Sequence, residues 1–366
     1  MYQFLKFERE AMKAYLILED GSVYEGNNIG SNREVVSEIV FNTSMTGYLE
    51  VLTDPSYAGQ GVVMTYPLIG NYGICYEDME SQGAWVDMFI VREFSQAASN
   101  FRNETSINEF LVQQNVPGIS GIDTRDLTKR LREKGTMNGM LTTKKNFSLP
   151  QVLEKIKNYT VGEIVKKTST NKAYTLKGLG KKVVLMDFGA KKSIAKGLNK
   201  RGCEVIVLPY DTKAEEVIAM KPDGIMLSNG PGDPKRNSDA IEQIKRLYDS
   251  DIPIFAICLG HQLMALATGA NTYKLKYGHR GGNHPVKDLE TGRTYITSQN
   301  HGYAVDENTL NRNICIPAFV NVNDNTNEGL KYLNKNIFTV QYHPEASPGP
   351  GDSSYLFDKF IKMMEV

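Results

Sequence analysis

The run Phe255-Ala-Ile-Cys258-Leu-Gly260-His-Gln262 places a thiol where a short apolar segment, Pro253 to Ile257, gives way to a helical pattern from Leu259 to Thr268. A buried strand ending at cysteine, with glycine two positions on, can turn sharply into a helix. This strand–turn–helix elbow lifts a nucleophile above a parallel sheet, here with Cys in place of Ser. The crevice outside such strand ends is where open α/β sheets bind ligands. The helix start favours an anion and offers the Leu259 N–H to an oxyanion. An inert core cysteine fits the same run, since free Cys is among the most buried residue types.

A nucleophile needs a base, and His343-Pro344-Glu345 supplies one with its orienter. Pro344 keeps His343 out of the helical region. Residues two apart in an extended chain face one side, so Glu345 can reach the imidazole. The order Cys…His…Glu defines a candidate triad. By itself the tripeptide fits a solvated loop as well. A third piece, Leu227-Ser-Asn229-Gly230-Pro-Gly232-Asp233-Pro, follows a strand. Its glycines let backbone amides approach a ligand and form an oxyanion hole, although a plain turn would also account for them. No G-x-x-x-x-G-K-[ST] occurs, which argues against a phosphate loop.

The other histidines carry less. His261 lies just past the elbow, where packing is the default. His279 and His284, in Gly278-His-Arg-Gly-Gly-Asn-His284-Pro, have no carboxylate or thiolate at ligand spacing beside them, so no metal site is expected. His301, in Gln299-Asn300-His301-Gly302-Tyr303, reads as part of a polar turn offering backbone contacts to a substrate.

The elements that must hold these residues follow from pattern. From Lys182 onward, apolar strands (Val183 to Phe188, Val205 to Pro209, Gly224 to Ser228, Pro253 to Ile257) alternate with helical stretches at Lys191 to Arg201, Ala214 to Met220 and Asp239 to Asp249. That alternation predicts βαβ units and a doubly wound, mostly parallel sheet covered on both faces. After residue 270 the pattern turns to shorter strands, Phe338 to Tyr342 the clearest. The first half reads as a β-rich α/β domain. It has a hairpin at Asp20-Gly21, strands at Ser37 to Asn42, Gly61 to Thr65 and Trp85 to Val91, and helices at Asp123 to Lys134 and Leu149 to Asn158. Between Glu163 and Asp187 the chain has lysines and no acidic residue, as a solvated linker would. The expected organisation is an N-terminal domain over 1–160, a basic linker over 161–181 and an α/β domain over 182–366.

Composition bounds the function. Of 366 residues, 41% are apolar and 23% charged, and 42 basic side chains balance 42 acidic ones. Zero net charge argues against nucleic acid or an anionic membrane as the main partner. No apolar run approaches the ~20 residues of a membrane span. The charged first ten residues lack a signal-peptide core. Cys75, Cys203, Cys258 and Cys315 form no C-x-x-C pair and read as reduced thiols of a cytoplasmic protein.

Together, Cys258-Leu-Gly-His-Gln262, Ser228-Asn-Gly-Pro-Gly-Asp-Pro234 and His343-Pro-Glu345 resemble a class I glutamine amidotransferase domain. Phe41-Asn-Thr-Ser-Met-Thr-Gly-Tyr48, Leu52-Thr-Asp-Pro-Ser-Tyr57, Tyr66-Pro-Leu-Ile-Gly-Asn71 and Ser99-Asn-Phe-Arg102 narrow the resemblance to small subunits of carbamoyl phosphate synthetases. Asp123-Thr-Arg-Asp-Leu-Thr128 and Gly278 to Pro285 fit as well. Residues 1–11 precede Met12, the more usual start. The resemblance implies a catalytic triad of Cys258, His343 and Glu345. It also implies L-glutamine contacts at Ser56, Gly230, Gly232, Leu259, Gln262, Asn300, Gly302 and Tyr303. It further implies a cysteinyl thioester and ammonia passed to a large synthetase subunit in a heterodimer. That partner makes carbamoyl phosphate, for pyrimidine and arginine synthesis, from bicarbonate, ammonia and two ATP. ATP and magnesium belong to the partner, and no cofactor is implied in this chain.

Two other readings are open at the level of sequence. A glutaminase serving guanylate or anthranilate synthesis would lack the Asn42-to-Tyr57 block. A catalytically silent scaffold would be expected to have lost a member of the triad.

Overall fold

The computed structural model describes residues 12–365 and divides the chain into two compact units. Residues 1–11, singled out above as preceding the usual start, lie outside the described residues.

The first unit comprises 1–41, 60–76 and 86–160. Its strands close into a barrel in the order Lys13–Leu18, Val23–Gly30, Pro117–Ser120, Met88–Ile90, Gln60–Met64, Val35–Asn42 and Met137–Thr142. Met137–Thr142 then pairs back onto Lys13–Leu18, so the sheet has no open edge. The first two strands join through Asp20 and Gly21, the glycine at φ 85°. Asp123 caps the helix Thr124–Lys134 by accepting from the amides of Arg125 and Asp126, and Gly135 ends it at φ 101°. The amphipathic helix Leu149–Lys157 buries Val152 and Ile156 against Tyr15, Ile17 and Met140.

The second unit comprises 42–59, 77–85 and 161–366. It holds a 10-stranded sheet. Lys182–Asp187 pairs in parallel with Glu204–Pro209 on one side and Gly224–Leu227 on the other, followed by Ile254–Ile257 and Ile337–Val340, also parallel. Both faces are apolar. Val184 and Met186 pack with the helices Ala214–Ala219, Ser238–Tyr248 and Leu259–Ala267, while Val183 and Leu185 pack with Lys192–Asn199 and Tyr355–Met363. The chain leaves Lys182–Asp187 toward one edge and later returns to its other side, which creates a topological switch point. The loops after Asp187, Leu227, Ile257 and Val340 all leave the carboxyl edge of this parallel set.

Three expectations are corrected here. The stretch 161–181 is part of the second unit rather than a solvated linker: it forms the short helix Val165–Thr168 and the strand Tyr174–Leu176, which pairs antiparallel with Glu204–Pro209. Residues 42–59 and 77–85, placed by sequence in the first domain, belong to the second. After residue 270 the first two strands are long, while Cys315–Asn321, Asn327–Tyr332 and Ile337–Val340 are short as expected. Asn271–Asp288 and Thr294–Asp306 form an 18- and 13-residue antiparallel pair, interrupted by register shifts between Lys274 and His279 and between Gly281 and His284. Those bulges break the period-2 pattern and hide the continuity from sequence.

Candidate active site

Cys258 follows the strand Ile254–Ile257 and caps the helix Leu259–Ala267, with φ 53° and ψ −105°. A non-glycine residue in that region costs about 1–2 kcal/mol and persists only where its surroundings enforce it. They do: the Cys258 amide donates to Val340 O at 2.9 Å and the Gly260 amide to Ser228 O at 3.0 Å. Gly260 is required by space, because a Cβ there would lie 2.5 Å from Leu227 O. At the helix start the Leu259 N–H has no intrahelical acceptor. The thiol contacts Asn300 O at 3.6 Å.

His343 follows the strand Ile337–Val340, and its amide donates to Ser298 O at 2.9 Å. Its Nδ1 lies 2.6 Å from Glu345 Oε1, so the carboxylate fixes the ring. The buried Nε2 has no hydrogen-bond partner among the described residues, and the nearby Cys258 side chain helps raise the ring's pKa. Burial opposes a charge on this ring. The Glu345 carboxylate, offset in part by Lys191, overrides burial and pushes His343 up to about 10. Glu345 is likewise buried, yet Lys191 and His343 hold it down at about 2.

Lys191 is the residue that sequence reasoning missed. It caps the helix Lys192–Asn199, is 2% exposed, and donates from Nζ to Glu345 Oε1 at 2.8 Å. Burial alone would discharge it, but the carboxylates of Glu345, Glu80 and Asp54 raise its pKa instead. One signal could have found it: two lysines opening a helix run against the helix dipole, which favours acidic residues there. Glu80 joins from 77–85, accepting from the Ser193 amide and hydroxyl.

The candidate glutamine contacts are tied to this centre. Ser56 Oγ accepts from Asn229 Nδ2 at 2.8 Å. Asp54 accepts from the Ser56 amide with one oxygen and from Asn300 Nδ2 with the other, both at 2.8 Å. The 42–59 segment is thereby bound to the loop after Leu227 and to the strand Thr294–Asp306. Gln262 Nε2 bridges Tyr303 O and Gln341 Oε1 at 2.8 and 2.9 Å. A Cβ on Gly230 would collide with Phe188 O at 2.2 Å and press on Leu259, so this loop lies against the elbow. A Cβ on Gly232, at φ 89°, would meet Ile164 instead. Gly302 follows His301 within the strand Thr294–Asp306, not in a polar turn as sequence suggested. His261 is buried, bonded to Thr339 Oγ1 at 2.7 Å, and burial lowers it to about 3.

A strained thiol on the switch-point edge, with a buried His–Glu pair beside it, defines a class I glutamine amidotransferase arrangement. Residues 184–363 match the family Glutamine amidotransferase class-I, and residues 16–141 match Carbamoyl-phosphate synthase small chain, CPSase domain. The chain is 51% identical over 353 residues to the carbamoyl phosphate synthase small chain of Listeria monocytogenes serovar 1/2a, covering 96% of this chain and 97% of that protein. It is 52% identical over 354 residues to the protein of the same name from Bacillus cereus (strain ATCC 10987), covering 97% and 96%. The chain belongs to the carbamoyl phosphate synthase small chain family. No described helix is long and apolar enough to cross a membrane.

Proposed function

We propose that this chain is the glutamine-hydrolysing subunit of a cytoplasmic carbamoyl phosphate synthetase. The observation that carries the reading is Cys258, held at φ 53° on the switch-point edge beside the His343–Glu345–Lys191 series. Cys258 Sγ, its proton already held on His343 Nε2, attacks the side-chain carbonyl carbon of glutamine. The oxyanion is met by the Leu259 N–H and an amide of the Gly230–Gly232 loop. The C–N bond breaks, His343 returns the proton to the departing ammonia, and a γ-glutamyl thioester remains. Water, deprotonated by His343, then attacks the thioester, releasing glutamate and restoring the thiol. Glu345 orients the ring and stabilises the imidazolium, and Lys191 keeps Glu345 ionised. Ser56, Gly230, Gly232, Gln262, Asn300, Gly302 and Tyr303 position glutamine.

The ammonia goes to a large synthetase subunit, which carries the ATP and magnesium chemistry; these glutaminase steps call on no cofactor of this chain. The barrel unit, which matches the Carbamoyl-phosphate synthase small chain CPSase domain over 16–141, is assigned the docking role. A glutamine-like affinity label should modify Cys258 stoichiometrically, and adding the large subunit should raise kcat/KM for ammonia release. Misplacement by about 1 Å can cost 10²-fold, which is the room the partner has to act on. Labelling that survives Cys258→Ser would overturn the chemistry. Turnover indifferent to the partner would overturn the coupling alone.

A further inference from the structure

A second histidine–carboxylate cluster lies outside the triad. His279, His301 and Glu328 are all buried, and their ligand-type atoms lie within 4.8 Å of one another. Each imidazole has a partner that fixes its tautomer. His301 Nδ1 lies 2.7 Å from Tyr303 O, which accepts only, so the proton is on Nδ1 and the lone pair is on Nε2. That Nε2 is buried with no hydrogen-bond partner among the described residues. Burial holds this ring neutral, well below the usual histidine range. His279 Nε2 lies 2.8 Å from Asp324 Oδ2, leaving Nδ1 pointed at Glu328 Oε1, 3.4 Å away. Two ligands at about 2.0–2.1 Å from a tetrahedral ion stand roughly 3.3 Å apart, so this pair is already at coordination spacing. Glu328 is positioned in turn by Asn321 Nδ2 at 3.0 Å and Gln299 Nε2 at 2.9 Å.

We propose that His279 Nδ1, His301 Nε2 and Glu328 Oε1 form a site for a divalent ion of the zinc class, with His301 on the strand that also carries Asn300, Gly302 and Tyr303. Two imidazoles and one carboxylate suit Zn²⁺ or Co²⁺ and disfavour Mg²⁺ and Ca²⁺, which prefer all-oxygen sites. The fourth position is left to water. Asp324, Tyr303 O, Asn321 and Gln299 are the outer groups that orient metal ligands. The sequence argued against a metal here because no carboxylate flanks His279 or His284. The fold brings Asp324 and Glu328 to His279 across the paired strands. The ion would fix the strand that presents the candidate glutamine contacts without touching the thiol.

The competing occupant is a proton shared between His279 and the two carboxylates. The test strips the full chain with a chelator and titrates it with Co²⁺ and Zn²⁺, in a Cys258→Ala background so that the thiol cannot ligate. Expected are roughly one metal per chain, ligand-field bands of four- or five-coordinate Co²⁺, and a metal-dependent rise in Tm. Glu328→Gln should abolish these, and Asp324→Asn should weaken affinity about 10- to 100-fold. The proposal is overturned if the unsubstituted cluster shows no such Co²⁺ bands, or binds no more metal than the Glu328→Gln chain. The Co²⁺ spectrum decides even where a variant fails to fold.

Discussion

Two polar networks in this protein use similar groups and do different things. In the barrel unit, Asp20 accepts from Arg130 at 2.9 Å and Lys134 at 2.7 Å, beside Tyr24, whose hydroxyl donates to Asp126. In the other unit, Glu345 accepts from Lys191 at 2.8 Å and holds His343 at 2.6 Å. The distances match, but the surroundings do not. Lys134 is 53% exposed and Asp20 18%, whereas Lys191, His343 and Glu345 are all 1–2% exposed. In water such pairs contribute about 0–1 kcal/mol. Buried, each charge depends on the others, and removing one costs about 3–5 kcal/mol. This network keeps its desolvated charges beside the Cys258 thiol, where a low dielectric strengthens every interaction with a developing charge.

The largest effect that separates the two networks is at Cys258. Cys258→Ala should remove glutamine hydrolysis by about 10⁵- to 10⁶-fold in kcat, as loss of a triad nucleophile does. No substitution in the barrel network should approach this. Steady-state ammonia release measures it, and residual turnover within tenfold of the parent would remove Cys258 from its role. The backbone adds a second readout. Because φ is 53° at this position, Cys258→Gly should be more stable than Cys258→Ala by about 1 kcal/mol.

Next come the charges. His343→Asn should be severe and Glu345→Gln milder in kcat, since the acid orients while the base moves the proton. Lys191→Met should cost about 3–5 kcal/mol of stability, because it leaves Glu345 buried beside Glu80 and Asp54 with their shared cation gone. In the double variant with Glu345→Gln the loss should be less than the sum of the two. Additive losses in urea denaturation would show that the contact is incidental.

Much of this centre was legible in the sequence, for local reasons. Cys258 and Gly260 are two residues apart, as are His343 and Glu345, and strand–helix alternation from Lys182 onward implied the sheet that holds them. What was hidden depends on long range. Lys191 meets Glu345 across 154 positions. The 42–59 segment looks no different in composition from the barrel strands around it. Long-range bonds, such as those from Asn229 and Asn300 to Ser56 and Asp54 and from Thr43 to Arg280, tie it to the other unit. The hairpin 271–306 reads as short strands because its bulges interrupt the alternation, and the pairing of Cys315–Asn321 with Asn271–Asp288 and Asn327–Tyr332 carries Asp324 and Glu328 to His279.

A pH titration of stability should also tell the networks apart. His343 moves from 6.5 to about 10 on folding, so the folded state holds its proton more tightly. That contribution is complete below about pH 6.5 and is lost as pH rises through about 10. Glu345 moves from 4.5 to about 2, so its contribution is complete above about 4.5 and is lost as pH falls toward 2. His343→Gln should flatten the alkaline limb of the parent's curve. An unchanged limb would place the titrating group elsewhere.

The smallest effect is expected at Arg130, and it tests the comparison from its weak side. The Arg130 guanidinium contacts Asp20 and the Tyr24 hydroxyl, yet its side chain is 30% exposed. Arg130→Ala leaves Asp20 with Lys134 at 2.7 Å and the Ser22 amide at 3.0 Å, so no charge is stranded. The loss should stay within about 1 kcal/mol and shrink further in salt, because exposed charges are screened beyond a Debye length of about 10 Å at 0.1 M. Glutamine turnover should not change. Chemical denaturation at low and high salt measures both the size and the screening. A loss above about 3 kcal/mol that salt leaves untouched would mean that Arg130 behaves as a buried charge. Burial would then no longer distinguish the barrel's network from the one around Cys258.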